Sequence, residues 1–170
     1  MFCLVSYRGG VTVDHFDATP LYIQLAAILA RASATLDLSQ PVAVLLLAVL
    51  HFLAAAANPA GSVAELTRAL APGSYLVISH LTADLDPGQV GAAVEAYNAA
   101  VPGGVIPRSH AEVTALFGGL PLVPPGVVPL TEWRPTSATG PAACADLYAG
   151  IARTPPHACA STTRLGVLIG

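Results

Sequence analysis

Residues 41–57 read PVAVLLLAVLHFLAAAA, and their reading decides the fold. As a helix crossing a bilayer, the run would need roughly 20 predominantly apolar residues. As a strand buried on both faces it needs fewer, rich in Val and Leu and without a polar side. Pro41 suits the first residue of a strand, His51 interrupts the run, and Asn58-Pro59-Ala60-Gly61 forms a turn cluster. Length alone leaves both readings open, so the neighbouring segments decide.

Those neighbours alternate between strand and helix. In GSVAELTRAL (61–70), Ser62 and Glu65 have the spacing of a capping box, and Val63, Leu66 and Leu70 share a helical face. Pro72-Gly73 closes that helix, and SYLVISHLTAD (74–84) follows as a second strand. Asp86 then stands as an N-cap with Pro87 in the first helical position, and Val90, Ala93, Val94 and Tyr97 make an apolar stripe. RSHAEVTALFGGL (108–120) repeats the device: Ser109 and Glu112 form a capping box, Val113, Leu116 and Phe117 face inward, and Gly118-Gly119 ends the helix. VVPLTEW (127–133) and DLYAGIAR (146–153) read as two further strands, with a Pro/Ala/Gly-rich loop between them. The alternation predicts an α/β layered domain with a mostly parallel sheet and helices on both faces. A membrane span in its midst would leave the amphipathic helices with no sheet to cover, so residues 41–50 are expected to be a buried strand, with no membrane contact.

Composition narrows the function classes. The chain has 170 residues, 54% hydrophobic and 10% charged, and a mean hydropathy of +0.65, oilier than an ordinary soluble domain. A net charge of −3 and the lack of a basic cluster argue against electrostatic binding of nucleic acid. Cys3, Cys144 and Cys159 have neither zinc-knuckle nor CxxC spacing and read as free thiols in a reducing compartment. His15, His110 and His157 share no ligand spacing with carboxylates or thiols, so no metal is expected. MFCLVSYRGG, at the start, lacks the basic region of a signal peptide, and a cytoplasmic location follows as the expectation.

The blocks LDLSQPVAVLLLAVLHFL (36–53), LAPGSYLVISHLTAD (70–84), RSHAEVTALFGGLPLVPPGVVPLTEWRP (108–135) and LYAGIAR (147–153) carry a family resemblance. In order and spacing they resemble the S-adenosylmethionine-dependent methyltransferases of a family once catalogued as a domain of unknown function. The likeness runs from Ala27 to Arg153, leaving residues 1–26 as a divergent or truncated N-terminal segment and 154–170 as a loose tail. The resemblance implies the Rossmann-like class I methyltransferase fold. In it, VAVLLLAVLHF would be the fourth strand and SYLVISH the fifth. VVPLTEW and DLYAGIAR would be the sixth and seventh, the seventh antiparallel beside the fifth.

The resemblance implies S-adenosylmethionine as cofactor and an unidentified small-molecule acceptor. Such enzymes hold the cofactor mainly with a glycine-rich turn after the first strand and an acidic residue ending the second. RGGV (8–11) is not that turn, and in VTVDHFD (11–17) Asp14 or Asp17 is the candidate acidic residue, a solvated loop carboxylate being the alternative. Leu47 and Ala48, at the end of the fourth strand, would border the cofactor or else serve the core. His51 stands where a catalytic base could sit, since ligands of open α/β sheets lie beyond the carboxyl ends of the strands. VLHF is similar to the LHDW-type motif of small-molecule O-methyltransferases, without its acidic residue and tryptophan; the alternative is that His51 shapes the pocket floor. His80 is the second candidate, as a substrate contact or as a satisfied loop histidine. Trp133 and Arg134 are expected to pack, and Asp84 and Asp86 to cap helices. The shortened first half leaves a truncated reading frame, a decayed copy or a fragment needing a partner as open accounts. It also leaves the alternative of a non-enzymatic α/β interaction module, and it predicts self-association through an exposed sheet edge.

Overall fold

The deciding run is a strand followed by a tight turn. The computed structural model describes residues 2–6, 29–30, 32–133 and 146–156, and of residues 2–6 the backbone alone. Its elements are β1 (Phe2–Ser6), β2 (Val42–Leu47), α1 (Pro59–Arg68), β3 (Tyr75–Leu81), α2 (Pro87–Ala100), α3 (His110–Ala115), β4 (Val128–Pro129) and β5 (Leu147–Arg153). Beyond β2, residues Leu50–Phe52 make a single 3-10 turn. Among the described residues, no helix is long and apolar enough to cross a membrane.

The five strands form one sheet in the order β1-β2-β3-β5-β4. β2 and β3 run parallel, from Ala43 opposite Tyr75 to Leu47 opposite Ser79. They are joined by α1, the crossover that parallel neighbours require. β5 lies antiparallel beside β3, with Ile78 opposite Gly150, as expected for the last strand of the fold that the sequence resembles. β1 and β4 add antiparallel pairs at the two ends. The result is a mixed α/β sheet of the expected Rossmann-like class.

Strand periodicity places the core on one face. Val42, Val44 and Leu46 of β2 and Leu76, Ile78 and His80 of β3 are buried. Val63 and Leu66 of α1, with Val113, Leu116 and Phe117 at α3, belong to the same core cluster. Gly150 is required here: a Cβ on it would stand 2.9 Å from the Phe117 ring and 3.0 Å from Val127. On the opposite face Leu45 and Val77 are only half-buried, while Leu47 and Tyr75 are 40% and 39% exposed.

Three expectations are corrected. Ser62 and Glu65 do not cap α1. The helix starts a turn earlier, at Pro59, and the Asn58 side chain accepts from the Gly61 N–H; Ser62 is therefore buried inside the helix. VVPLTEW contributes only Val128–Pro129 to the sheet and then turns at Leu130–Glu132, because Pro129 has no N–H to extend a ladder. In α2 only Val90 is buried; Ala93, Val94 and Tyr97 line a surface groove instead. Asp86 does cap α2 through the Gln89 N–H, and Ser109 and Glu112 form the reciprocal capping box of α3. Asp84 also caps, but it reaches forward to α3, accepting from the His110 N–H at 2.8 Å.

Candidate functional site

The carboxyl ends of β2 and β3 meet at a compact polar knot. Ala48, directly after β2, has a φ of 51°, a left-handed conformation that costs a residue with a Cβ about 1 kcal/mol or more. Its N–H is held by both the carbonyl and the hydroxyl oxygen of Ser79, which fixes the reversal and swings the chain into the turn carrying His51. Leu47 sits 40% exposed at the same corner.

Arg108 secures that turn. It enters on the extended segment before α3, where its own N–H donates to the Leu81 carbonyl and that of Ile106 donates to the His51 carbonyl. Its side chain is 8% exposed. Nη1 donates to the Leu50 carbonyl at 2.9 Å and Nη2 to the Leu53 carbonyl at 2.7 Å. Nη1 also lies 2.7 Å from Nε2 of His80. Because the guanidinium can only donate, Nε2 must be the acceptor. Nδ1 of His80 then carries the proton, which it donates to the Leu81 carbonyl at 2.8 Å. Burial pushes the His80 pKa down, against the partial support of the Leu81 carbonyl. His80 is thus a neutral, fully enclosed strut with both nitrogens in use. The geometry favours the alternative of a satisfied histidine.

His51 is different. It is 8% exposed, stacks at a tilt on Phe52 with 4.5 Å between ring centroids, and meets His80 edge-on at 5.7 Å. Neither of its ring nitrogens has a hydrogen-bond partner among the described residues, and Nδ1 is fully buried in that state. Burial, reinforced by His80 and Arg108, lowers its pKa to about 4. It is a neutral imidazole at physiological pH.

His51 forms part of the wall of a groove of about 330 Å³. α2 provides the far wall with Val90, Ala93, Val94 and Tyr97, while Phe52, Leu81 and Val105 close the base. Gln89 and Asp146 are its other polar residues. The groove lies where ligands of open α/β sheets bind, outside the carboxyl ends of parallel strands.

Of the residues singled out in the sequence, the structure brings His51 to the groove and sets Leu47 and Ala48 at the adjoining corner. Asp14, Asp17, Arg134, His15, His157, Cys144 and Cys159 lie outside the described residues, and only the backbone of Cys3 is described. Trp133 is half-buried at the exit of the β4 turn. His110 uses Nε2 to donate to the Val127 carbonyl. Thr154, placed in the tail by sequence, is buried and donates from its N–H to the Ser74 carbonyl. Arg108 was not singled out as a site residue, since nothing local in RSHAEV announces partners 28, 55 and 58 residues away.

The fold is that of a Rossmann-like α/β protein with a groove at its strand ends. The chain belongs to the S-adenosyl methyltransferase family, whose family model matches residues 22–155. It is similar to a DUF574 family protein from Streptomyces avermitilis at 36% identity and a TM-score of 0.74, over 82% of this chain and 54% of that one. It is also similar to a putative methyltransferase from Thermobifida fusca at 29% identity and a TM-score of 0.67, over 82% and 52% of the two chains. The chain therefore spans about half the length of these two relatives. No curated protein matches it.

The family implies S-adenosylmethionine. In the doubly wound order the fourth strand pairs with the first, whose glycine-rich turn cradles the ligand. Here β1 takes that place beside β2 but runs antiparallel, so that Ser6 lies opposite Val42 and Phe2 opposite Leu46. β1 consequently starts at the ligand end of the sheet and finishes at the other. The corner at Leu47 and Ala48 is present; a glycine turn facing it is not found among the described residues.

Proposed function

We propose that this protein is an S-adenosylmethionine-dependent methyltransferase by descent, whose described residues form the acceptor side of the site. The observation that carries the reading is the apolar groove at the β2 and β3 ends with an unengaged, neutral His51 in its wall. Methyl transfer from a sulfonium is an in-line displacement, in which alignment and exclusion of water contribute most. The α2 wall and Phe52 supply the dry surface. His51 supplies a hydrogen bond that orients the acceptor. With a pKa near 4 it is a poor proton store, so orientation rather than proton abstraction is its role.

The antiparallel β1 supports a reduced cofactor side, and the chain alone is expected to hold S-adenosylmethionine weakly. Isothermal titration of the full chain tests this. One-to-one saturation, expected only at roughly millimolar ligand, supports the reading; absence of any saturable heat overturns it. The same β1 placement favours the second reading, a non-enzymatic interaction module, which predicts that silence together with capture of a partner strand at the sheet edge.

A further inference from the structure

We infer that the groove beside His51 selects an uncharged, compact, mostly apolar molecule carrying a hydroxyl group, a phenol-like compound, and rejects carboxylates and phosphates. The inference rests on the methyltransferase reading only in calling that molecule the acceptor; the selection itself follows from the groove.

Charge decides first. The chain contains no lysine, so its cationic side chains are seven arginines. Arg108 is the described guanidinium next to the groove, and three of its five N–H donors are committed to Leu50, Leu53 and His80. Arg68 and Arg153 line other depressions. Arg8, Arg31, Arg134 and Arg164 lie outside the described residues, and among the described residues that line the groove Asp146 meets no opposing cationic side chain. An anionic ligand would lose its hydration there and face a like charge.

Hydrogen bonding decides next. A neutral imidazole presents one N–H and one lone pair, and neither ring nitrogen of His51 has a partner among the described residues. A hydroxyl both donates and accepts, so it satisfies His51 in either tautomer. A hydroxyl ligand that reaches the ring supplies a hydrogen bond worth about 1 kcal/mol, which a purely apolar one does not supply. Size and surface decide last. About 330 Å³ lies at the low end of ligand pockets, and Phe52 and Tyr97 offer aromatic faces to a ring.

The test is a titration of the full chain with p-cresol and with p-toluate, followed by heat and by the histidine ring resonances in NMR. p-Cresol is expected to saturate and to shift the His51 resonances, with p-toluate at least about tenfold weaker. Ala93→Trp, on the exposed side of α2, should abolish p-cresol binding with the melting temperature unchanged. Asp146→Asn should narrow the gap between the two ligands. Equal or tighter binding of p-toluate overturns the inference. So does the absence of saturable p-cresol binding, or p-cresol binding that survives Ala93→Trp. Binding of p-cresol with no methylation of any phenol at saturating S-adenosylmethionine leaves the groove's selectivity standing and counts against the methyltransferase reading alone. Methylation of a carboxylate does the reverse.

Discussion

Arg108 and the two histidines show how one buried cation sets the state of a site. The guanidinium holds two carbonyls of the His51 turn and, through Nε2, the tautomer of His80. Arg108→Met would leave those acceptors buried and unpaired, and should lower stability by about 2–4 kcal/mol in chemical denaturation. Arg108→Lys keeps the charge but not the planar fork, and should fall between wild type and Met. Equal stability of all three would show that the turn does not depend on the clamp. The histidines also predict a pH dependence. His51 titrates near 4 when folded, against 6.5 as its ordinary value, and His80 is shifted the same way. Between those values the unfolded chain binds protons that the folded chain refuses, so unfolding takes up protons and stability rises with pH. From pH 6.5 down toward 4, His51 should remove up to about 1.4 kcal/mol per pH unit, and His80 acts in the same direction. Above pH 7 the contribution should be flat. Denaturation midpoints at intervals across that range check the sign, and a midpoint that climbs on acidification would contradict it. Ligand binding through the His51 lone pair should persist across neutral pH and fail only near pH 4.

Secondary elements divide by whether their causes are local. The caps of α2 and α3 were legible because each is a contact between residues three apart: Asp86 with Gln89, Ser109 with Glu112. The start of α1 was misread for an equally local reason. Asn-Pro is both a turn signal and an N-cap followed by a favoured first helical residue, and only tertiary context chose the second. β3 and β5 were legible from their apolar content, and β2 once its neighbours were considered. β4 shrank to two residues because Pro129 cannot donate to β5. The knot of Arg108, His80 and the His51 turn was illegible, being assembled from three distant segments. Gly150 is the element-scale contact most open to test. Gly150→Ala pushes a methyl against Phe117 and Val127 and should cost about 1–3 kcal/mol by overpacking. Combining it with Phe117→Leu should recover part of that loss, because the ring is what the methyl meets. A double variant no more stable than the sum of the two singles would place the strain elsewhere.

The whole molecule is governed by what stands at the edge of β2. This strand is the apolar centre of the sheet, with Val44 and Leu46 fully buried, and such a strand left unpaired is a template for another chain. In this structure the five residues of β1 pair along it, so the exposed edge expected from the sequence is moved outward by one strand. The antiparallel direction satisfies the backbone of β2 and at the same time leaves the corner at Ala48 without a parallel neighbour on that side. Under the proposed methyltransferase reading, pairing of the sheet edge and a complete cofactor side are in this way opposed. Removing residues 1–6 separates them. Without β1, the β2 edge and the half-buried face around Leu45 and Val77 should drive association, so that size-exclusion chromatography with light scattering gives a larger, concentration-dependent mass than the full chain gives at the same concentration. Adding a soluble peptide with the sequence FCLVS to the shortened chain should reverse the shift, since it restores the same ladder. If the shortened chain runs at the mass of the full one, β1 does not guard that edge, and the pairing of β2 must be sought in another segment.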